Sequence, residues 1–188
     1  MDRRIEKTKK AIKEAYLKLL KEKKEYQKIN VKELVDAADV NRSTFYLHYY
    51  DINEVLEELI NDMFTDISSR IEERSLTIEE MENIINEMTR NIERNSDYAL
   101  IVSTANEYPY FSQAMHQMMR KKISMDSIGN SNLSEEEKQL LMLIISKMTC
   151  DITSYLIKHY DAKKISEYFF LIREYIFTPA IQKIMAIQ

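Results

Sequence analysis

Apolar residues recur at three- and four-residue spacing along most of the chain, and each such run predicts an amphipathic helix. From Arg4 to Lys24, residues Ile5, Thr8, Ile12, Ala15, Tyr16, Leu19 and Leu20 make one stripe, and the other faces are rich in lysine. A second helix opens at Asn30, where Asn30-Val31-Lys32-Glu33 has the layout of a capping box ahead of Leu34, Val35, Ala37 and Ala38. It stops at Asp39. Asn41 caps a short third helix, Arg42 to about Tyr49, and Asp51-Ile52-Asn53-Glu54 opens a long fourth one carrying Val55, Leu56, Leu59, Ile60, Met63, Phe64 and Ile67.

The same grammar continues. Thr77-Ile78-Glu79-Glu80 caps a helix bearing Met81, Ile84, Ile85, Met88 and Ile92. Ser96 caps a shorter one with Tyr98, Ile101 and Val102, and Pro109 suits the first turn of the next, to about Asp126. Gly129-Asn130-Ser131-Asn132 reads as a loop; Ser134-Glu135-Glu136-Glu137 caps a helix to about Lys158, and a last helix runs from Asp161 to about Ala186. The fold class is therefore all-α, with about nine helices. In the last two, Leu140 to Ile145 and Tyr168 to Ile172 are apolar all round, as a helix is when two opposite faces are buried. One face has the protein's own core, and a second copy of the chain covers the other, making a four-helix bundle about a two-fold axis. Two helices central to a single core would show the same pattern.

Composition narrows the function classes. A single glycine in 188 residues leaves little room for hairpin turns or phosphate-cradling loops, which excludes all-β sandwiches, P-loop folds and GxGxxG nucleotide sites. Cys150 is the only cysteine, so no internal disulfide forms, and Met1 leads into Asp2-Arg3-Arg4 without an apolar signal core. The expected location is the cytoplasm, with no membrane span, because no apolar stretch reaches the length one needs. Charge is uneven: residues 1–50 hold 13 Lys and Arg against 8 Asp and Glu, and residues 51–188 hold 14 against 23. A basic head on an acidic body suggests that the head meets a polyanion.

Residues 31–49 carry the pattern of a helix-turn-helix. Leu34 and Val35 pack inward, Ala38 is small where the helices cross, Val40 plugs the turn, and Phe45 and Tyr49 anchor the second helix. At 100° per residue from Phe45, Ser43 and Leu47 point away from the core, Thr44 and Tyr46 sideways, and Arg42 and His48 flank. Phosphates accept from hydroxyls, amides and cations; Arg42, Ser43, Thr44 and Tyr46 supply them, beside Lys9 and Lys32 on the first two helices and the cap amides Asn30 and Asn41.

The run from Thr8 to Leu56 resembles the N-terminal domain of the tetracycline-repressor (TetR) family. The resemblance rests on Thr8-Lys9 with Ile12 and Ala15, Tyr26, Val31-Lys32-Glu33-Leu34, and Thr44-Phe45-Tyr46-Leu47-His48-Tyr49, which looks like the family's T-[LF]-Y-x-[HY]-F signature. It implies a dimeric, ligand-responsive DNA-binding regulator, usually a repressor, with a helix-turn-helix domain at 1–50 and a regulatory and dimerisation domain at 51–188. It further implies that Arg42, Ser43 and Thr44 meet base edges or nearby phosphates, and that Tyr46 and His48 contact backbone phosphates. Two departures stand out: the family's turn glycine is Asp39 here, and the lysine usual at the start of the fourth helix is Ile52. Asp tolerates left-handed φ better than most residues.

The partners expected are a palindromic double-stranded operator, a second copy of the chain held through the two C-terminal helices, and a small apolar or aromatic effector. The effector residues are Met88, Tyr98, Tyr108, Phe111, Met115, His116, Met119, Met148, Asp151 and Tyr155, since methionine adapts to varied shapes and tyrosine offers a flat face with a hydroxyl. The same residues would also serve as an ordinary core. No HExxH, CxxC or GxSxG occurs, and His48, His116 and His159 lack metal-like spacing, so neither catalysis, metal nor cofactor is expected. The fourth helix, linking head to body, is the expected lever. The sequence leaves two alternatives open: the same fold acting as an activator or co-activator, and a helical protein-interaction module without specific DNA binding.

Overall fold

A computed structural model describes residues 3–70, 74–75, 90–92, 94–105, 107–124, 134–160 and 162–179. The chain divides into two units, Met1–Met63 and Phe64–Gln188. The boundary falls inside the fourth helix rather than before it, because that helix's first three turns bury Val55, Leu56, Leu59, Ile60 and Met63.

In the first unit, α1 spans Arg3–Lys23 and buries Ile12, Ala15, Tyr16 and Leu20; Ile5, at its frayed start, is exposed. Lys24 ends it in the left-handed region (φ 61°), its N–H donating to the Leu20 carbonyl at 2.9 Å. A single 3-10 turn, Tyr26–Lys28, leads to α2, Val31–Ala37. Asn30 caps α2 by accepting from the Glu33 N–H at 3.1 Å, and its side-chain amide donates to Glu33 Oε2 at 2.8 Å. The reciprocal bond of the expected capping box thus comes from the Asn30 side chain rather than its backbone. Glu33 also pairs with Lys23 of α1, whose hydrogen bond holds the Glu33 carboxyl below its ordinary pKa.

The turn expected at Asp39 is present, with φ 54°. Val40 then closes it by donating its N–H to the Val35 carbonyl at 3.1 Å. The next helix, α3, covers Arg42–Tyr46 only, shorter than expected, although Leu47 and Tyr49 still donate backwards to the Ser43 and Phe45 carbonyls at 3.2 and 3.0 Å. Asp51 starts α4, Ile52–Ser69, its Oδ1 accepting from the N–H groups of Asn53 (2.8 Å) and Glu54 (3.1 Å). Tyr16, Leu20, Leu34, Phe45, Tyr49, Leu56, Ile60 and Met63 are almost wholly buried, each contributing about 1.5–3 kcal/mol of apolar transfer.

An ion network stitches α1 to α4. Lys9 Nζ donates to Glu58 at 2.7 Å, and Lys13 Nζ to Glu58 at 3.2 Å and to Asp62 at 2.6 Å. Burial opposes charge at both ends, yet the pairing outweighs it: the Glu58 carboxyl is held below its ordinary range by Lys9 and Lys13, and the Lys13 ammonium above its own by Asp62 and Glu58. Burial, then the Glu58 charge, pushes the Tyr49 phenol far above its usual value.

In the second unit, residues 90–92 and 94 are helical; residues 76–89, where the helix expected from Thr77 mostly falls, lie outside the described residues. The remaining helices are α5 (Ser96–Ala105), α6 (Pro109–Lys122), α7 (Glu135–His159) and α8 (Ala162–Ile172), the last running into a π-helical segment, Arg173–Phe177. Asn95, not Ser96, caps α5, its Oδ1 accepting from the Asp97 N–H at 3.0 Å. Pro109 opens α6 as expected, and Ser134 with Glu137 forms a complete capping box at α7. The α6 helix stops short of Asp126 because Ile123 and Ser124 leave it to pair in parallel with Arg74 and Ser75. This two-residue ladder is the exception, among the described residues, to an otherwise helical fold. Phe64, Ile67, Ile101, Val102, Ala105, Phe111, Met115 and Met118 form the unit's core, with the Phe64 and Phe111 rings edge-to-face at 5.3 Å.

Candidate nucleic-acid interface

The helix-turn-helix is held from inside and from its ends. Phe45 is fully buried and lies 5.7 Å, ring to ring, from Tyr49, so α3 has one inward edge and one outward face. Asn41 fixes its start: Oδ1 accepts from the Thr44 N–H, the Ser43 hydroxyl and the Thr44 hydroxyl, each at 2.7 Å. With its start and its inward edge set, α3 displays its outward side chains from a fixed backbone.

Arg42, Ser43 and Tyr46 are exposed on that face, and Thr44 is half-buried, as the helical projection requires. The Arg42 guanidinium donates to the Tyr46 hydroxyl at 3.4 Å and sits 5.7 Å from the ring centroid, so cation and phenol form one stacked surface. Lys32 is exposed on α2, and His48 is half-buried behind α3. Asn30 and Asn41 serve as caps. Lys9 is bound to Glu58 with its Nζ 5.0 Å from the Tyr49 ring centroid, which makes it an anchor between α1 and α4.

Two residues enlarge the face. Leu47, read from sequence as outward but given no role, is 80% exposed, and Tyr50, not singled out at all, is 87% exposed. The only sequence signal for Tyr50 was its position between the buried anchor Tyr49 and the cap Asp51.

The residues expected to bind an effector do not gather in one place. Met88 lies outside the described residues; Phe111 and Met115 are core, and Met119 and half-buried His116 lie on α6. Tyr98 donates its hydroxyl to Asp66 Oδ2 at 2.9 Å, and Arg70, with this bond, holds the Asp66 carboxyl low. Tyr108 pairs with the Tyr110 ring at 6.5 Å. Half-buried Met148 stands on α7. Asp151 and Tyr155, in contrast, both line a cavity of about 530 Å³ between α7 and α8, with Ile152, Leu156, Tyr160 and Tyr168. Asp151 is paired with Lys147 at 2.9 Å, and Tyr155 lies 4.4 Å from the His159 ring. On the same helices Leu140, Leu143, Ile144, Phe170, Leu171, Tyr175 and Ile176 are exposed, and Leu171 and Ile176 also line that cavity, so the apolar surface inferred from the sequence is open in the single chain and continuous with the cavity. Among the described residues no helix is long and apolar enough to cross a membrane.

No protein-family model matches the chain. Over 67 residues it is 33% identical to the uncharacterized HTH-type transcriptional regulator YxbF of Bacillus subtilis (strain 168). That match covers 36% of this chain and spans only 18% of the length of the curated relative. A crystal structure of a TetR transcriptional regulator from Streptococcus agalactiae 2603V superposes with a TM-score of 0.65 at 23% identity, over 92% of this chain and 96% of that one. The TetR family repressor AlkX from Dietzia sp. strain DQ12-45-1b, implicated in biodegradation of n-alkanes, superposes with a TM-score of 0.50 at 16% identity, over 94% and 97% of the two chains. With a capped helix-turn-helix at its start and helical pairs through the rest, this chain has the fold of the TetR transcriptional regulators.

Proposed function

We propose that the protein is a dimeric DNA-binding transcriptional regulator, a repressor released from a palindromic operator by a small apolar or aromatic ligand. The observation that carries this reading is the outward face of α3: Arg42, Ser43 and Tyr46 displayed on a five-residue helix fixed by the Asn41 cap and by Phe45. Those groups offer a bidentate cation, a hydroxyl and a phenol of the kinds that read bases and phosphates, within residues 1–50, which carry the excess of positive charge. The exposed apolar residues of α7 and α8 favour a two-fold pairing, which would set the distance between two such helices. The cavity between α7 and α8 is of a size that suits a drug-sized ligand, and α4, whose residues belong to both units, is the proposed lever.

Selection of bound sequences from random duplex DNA tests the reading. Enrichment of an inverted repeat is expected, with affinity falling by roughly 10³–10⁵ between about 50 and 200 mM salt for six to ten phosphate contacts. Absence of any enriched motif overturns the reading in favour of a helical protein-interaction module.

A further inference from the structure

The exposed large apolar residues described in the first unit are Ile5, Tyr46, Leu47 and Tyr50, and three of these four fall within five consecutive positions at the end of α3. Tyr46 and Tyr50 each carry a hydroxyl. Leu47 carries nothing but hydrocarbon, yet it is 80% exposed. Its backbone is held: φ −72° and ψ −21° continue the helix, and its N–H donates to the Ser43 carbonyl at 3.2 Å. The side chain therefore stands one helical turn beyond Ser43, on the same outward face, and cannot turn inward without unwinding a helix whose inward edge is already filled by Phe45 and Tyr49.

A leucine in that position gains nothing from a phosphate, which it can neither pair with nor donate to. The apolar group that the bases display in the major groove is the C5 methyl of thymine. We propose that Leu47 is a specificity-determining residue that packs on a thymine methyl group in each half-site, selecting thymine against cytosine at that position. The inference rests on the DNA-binding reading above. It gives the face a division of labour: Arg42 and Tyr46 hold the strand and its polar edges, and Leu47 discriminates by burial of a methyl group.

The test uses the full-length protein and the duplex enriched from random DNA. Each thymine of a half-site is replaced in turn by deoxyuracil, which pairs identically but lacks the methyl group. One replacement should weaken binding by about fourfold per half-site, the effect of exposing roughly one methyl group's worth of apolar surface. Leu47→Ala should bind thymine and deoxyuracil duplexes equally at that position, and Leu47→Met should keep part of the preference. Circular dichroism confirms that the variants fold, as the exposure of Leu47 leads one to expect. If the wild type binds the enriched duplex but is indifferent to every replacement, or if Leu47→Ala remains as sensitive as the wild type, the inference falls while the DNA-binding reading stands. A protein that enriches no sequence overturns both, and leaves Leu47 as a contact for a protein partner.

Discussion

In the first unit, beside two local pairs, Lys10 with Glu14 and Lys28 with Glu25, ion pairs join residues far apart in sequence, Lys9 and Lys13 to Glu58 and Asp62, Lys23 to Glu33, and these tie one helix to another. The pairs described in the second unit, Arg70 with Asp66, Lys138 with Glu135 and Lys147 with Asp151, join residues three or four apart on one helix. Pairs of the latter kind support a helix by a few tenths of a kcal/mol and say nothing about its neighbours. The apolar surfaces differ too: in the first unit the exposed large apolar side chains are Ile5 and the short cluster Tyr46, Leu47 and Tyr50, whereas α7, α8 and the segment after them leave a longer row in solvent. A unit closed by specific polar bonds holds a fixed outline for a partner of fixed geometry. A unit with an open apolar face has surface left over for association, the use proposed for it above.

The sharpest way to break this contrast is to open the closed unit. Phe45→Ala should cost about 3–5 kcal/mol of stability, read from denaturant unfolding, because it empties the inward edge of α3. A loss below about 1 kcal/mol would mean that the Asn41 cap, not the ring, holds the helix.

On the open side, Leu140→Glu with Ile144→Glu places two charges on exposed positions of α7. Self-association, measured by light scattering, should weaken about 100-fold, equivalent to about 2.7 kcal/mol, with the helical content unchanged. Retention of the wild-type mass would relocate the interface.

Glu58→Gln probes the network, with an expected loss of about 1–2 kcal/mol at neutral pH, discounted for partial exposure of all three partners. The Glu58 carboxyl is held below its ordinary 4.5, so its contribution is full above that value and disappears as pH falls through the lowered one. Lys13 is raised above 10.5, so its part is present below that value and lost as pH rises through the raised one. The gap between wild type and variant should therefore be flat across neutral pH and close in acid. A gap independent of pH down to about 2 would assign the effect to packing.

The smallest effect belongs to the turn. Asp39→Gly should stabilise by about 0.5–1 kcal/mol, a rise of a few degrees in melting temperature, since φ 54° costs aspartate what glycine does not pay. A fall instead would show that the Asp39 side chain supports the turn.

Local chemistry was legible in the sequence where it is local in the structure. Asn30, Asn41, Asp51, Ser134 and Pro109 mark helix starts because a cap needs only residues two or three positions away, and Asp39 marks the left-handed turn for the same reason. The ion pair of Lys9 could not be read from the sequence because its partner, Glu58, is 49 residues distant. The end of α6 was misplaced because Ile123 and Ser124 answer to Arg74 and Ser75, again far along the chain. The positions of the expected effector residues were hard to read because methionine and aromatic residues at helical spacing look alike in a core and in a cavity; among the described residues, Asp151 and Tyr155 line the α7–α8 cavity. Tyr50 escaped because exposure in the five-residue connection between α3 and α4 has no periodicity to betray it.

The three hydrogen bonds that converge on Asn41 Oδ1 decide which way the polar groups at the start of α3 point. Both hydroxyl protons, of Ser43 and of Thr44, point back into the cap, so outward these side chains present only oxygen lone pairs. In that state they are acceptors, matched to the exocyclic amino groups of adenine and cytosine rather than to phosphate oxygens, which are acceptors themselves. A hydroxyl could donate to a phosphate only by leaving Asn41, exchanging one bond for another with little net gain. The polarity of the cap thus turns two nominal donors into acceptors, and leaves donation on this face to the Arg42 guanidinium and the Tyr46 phenol beside them.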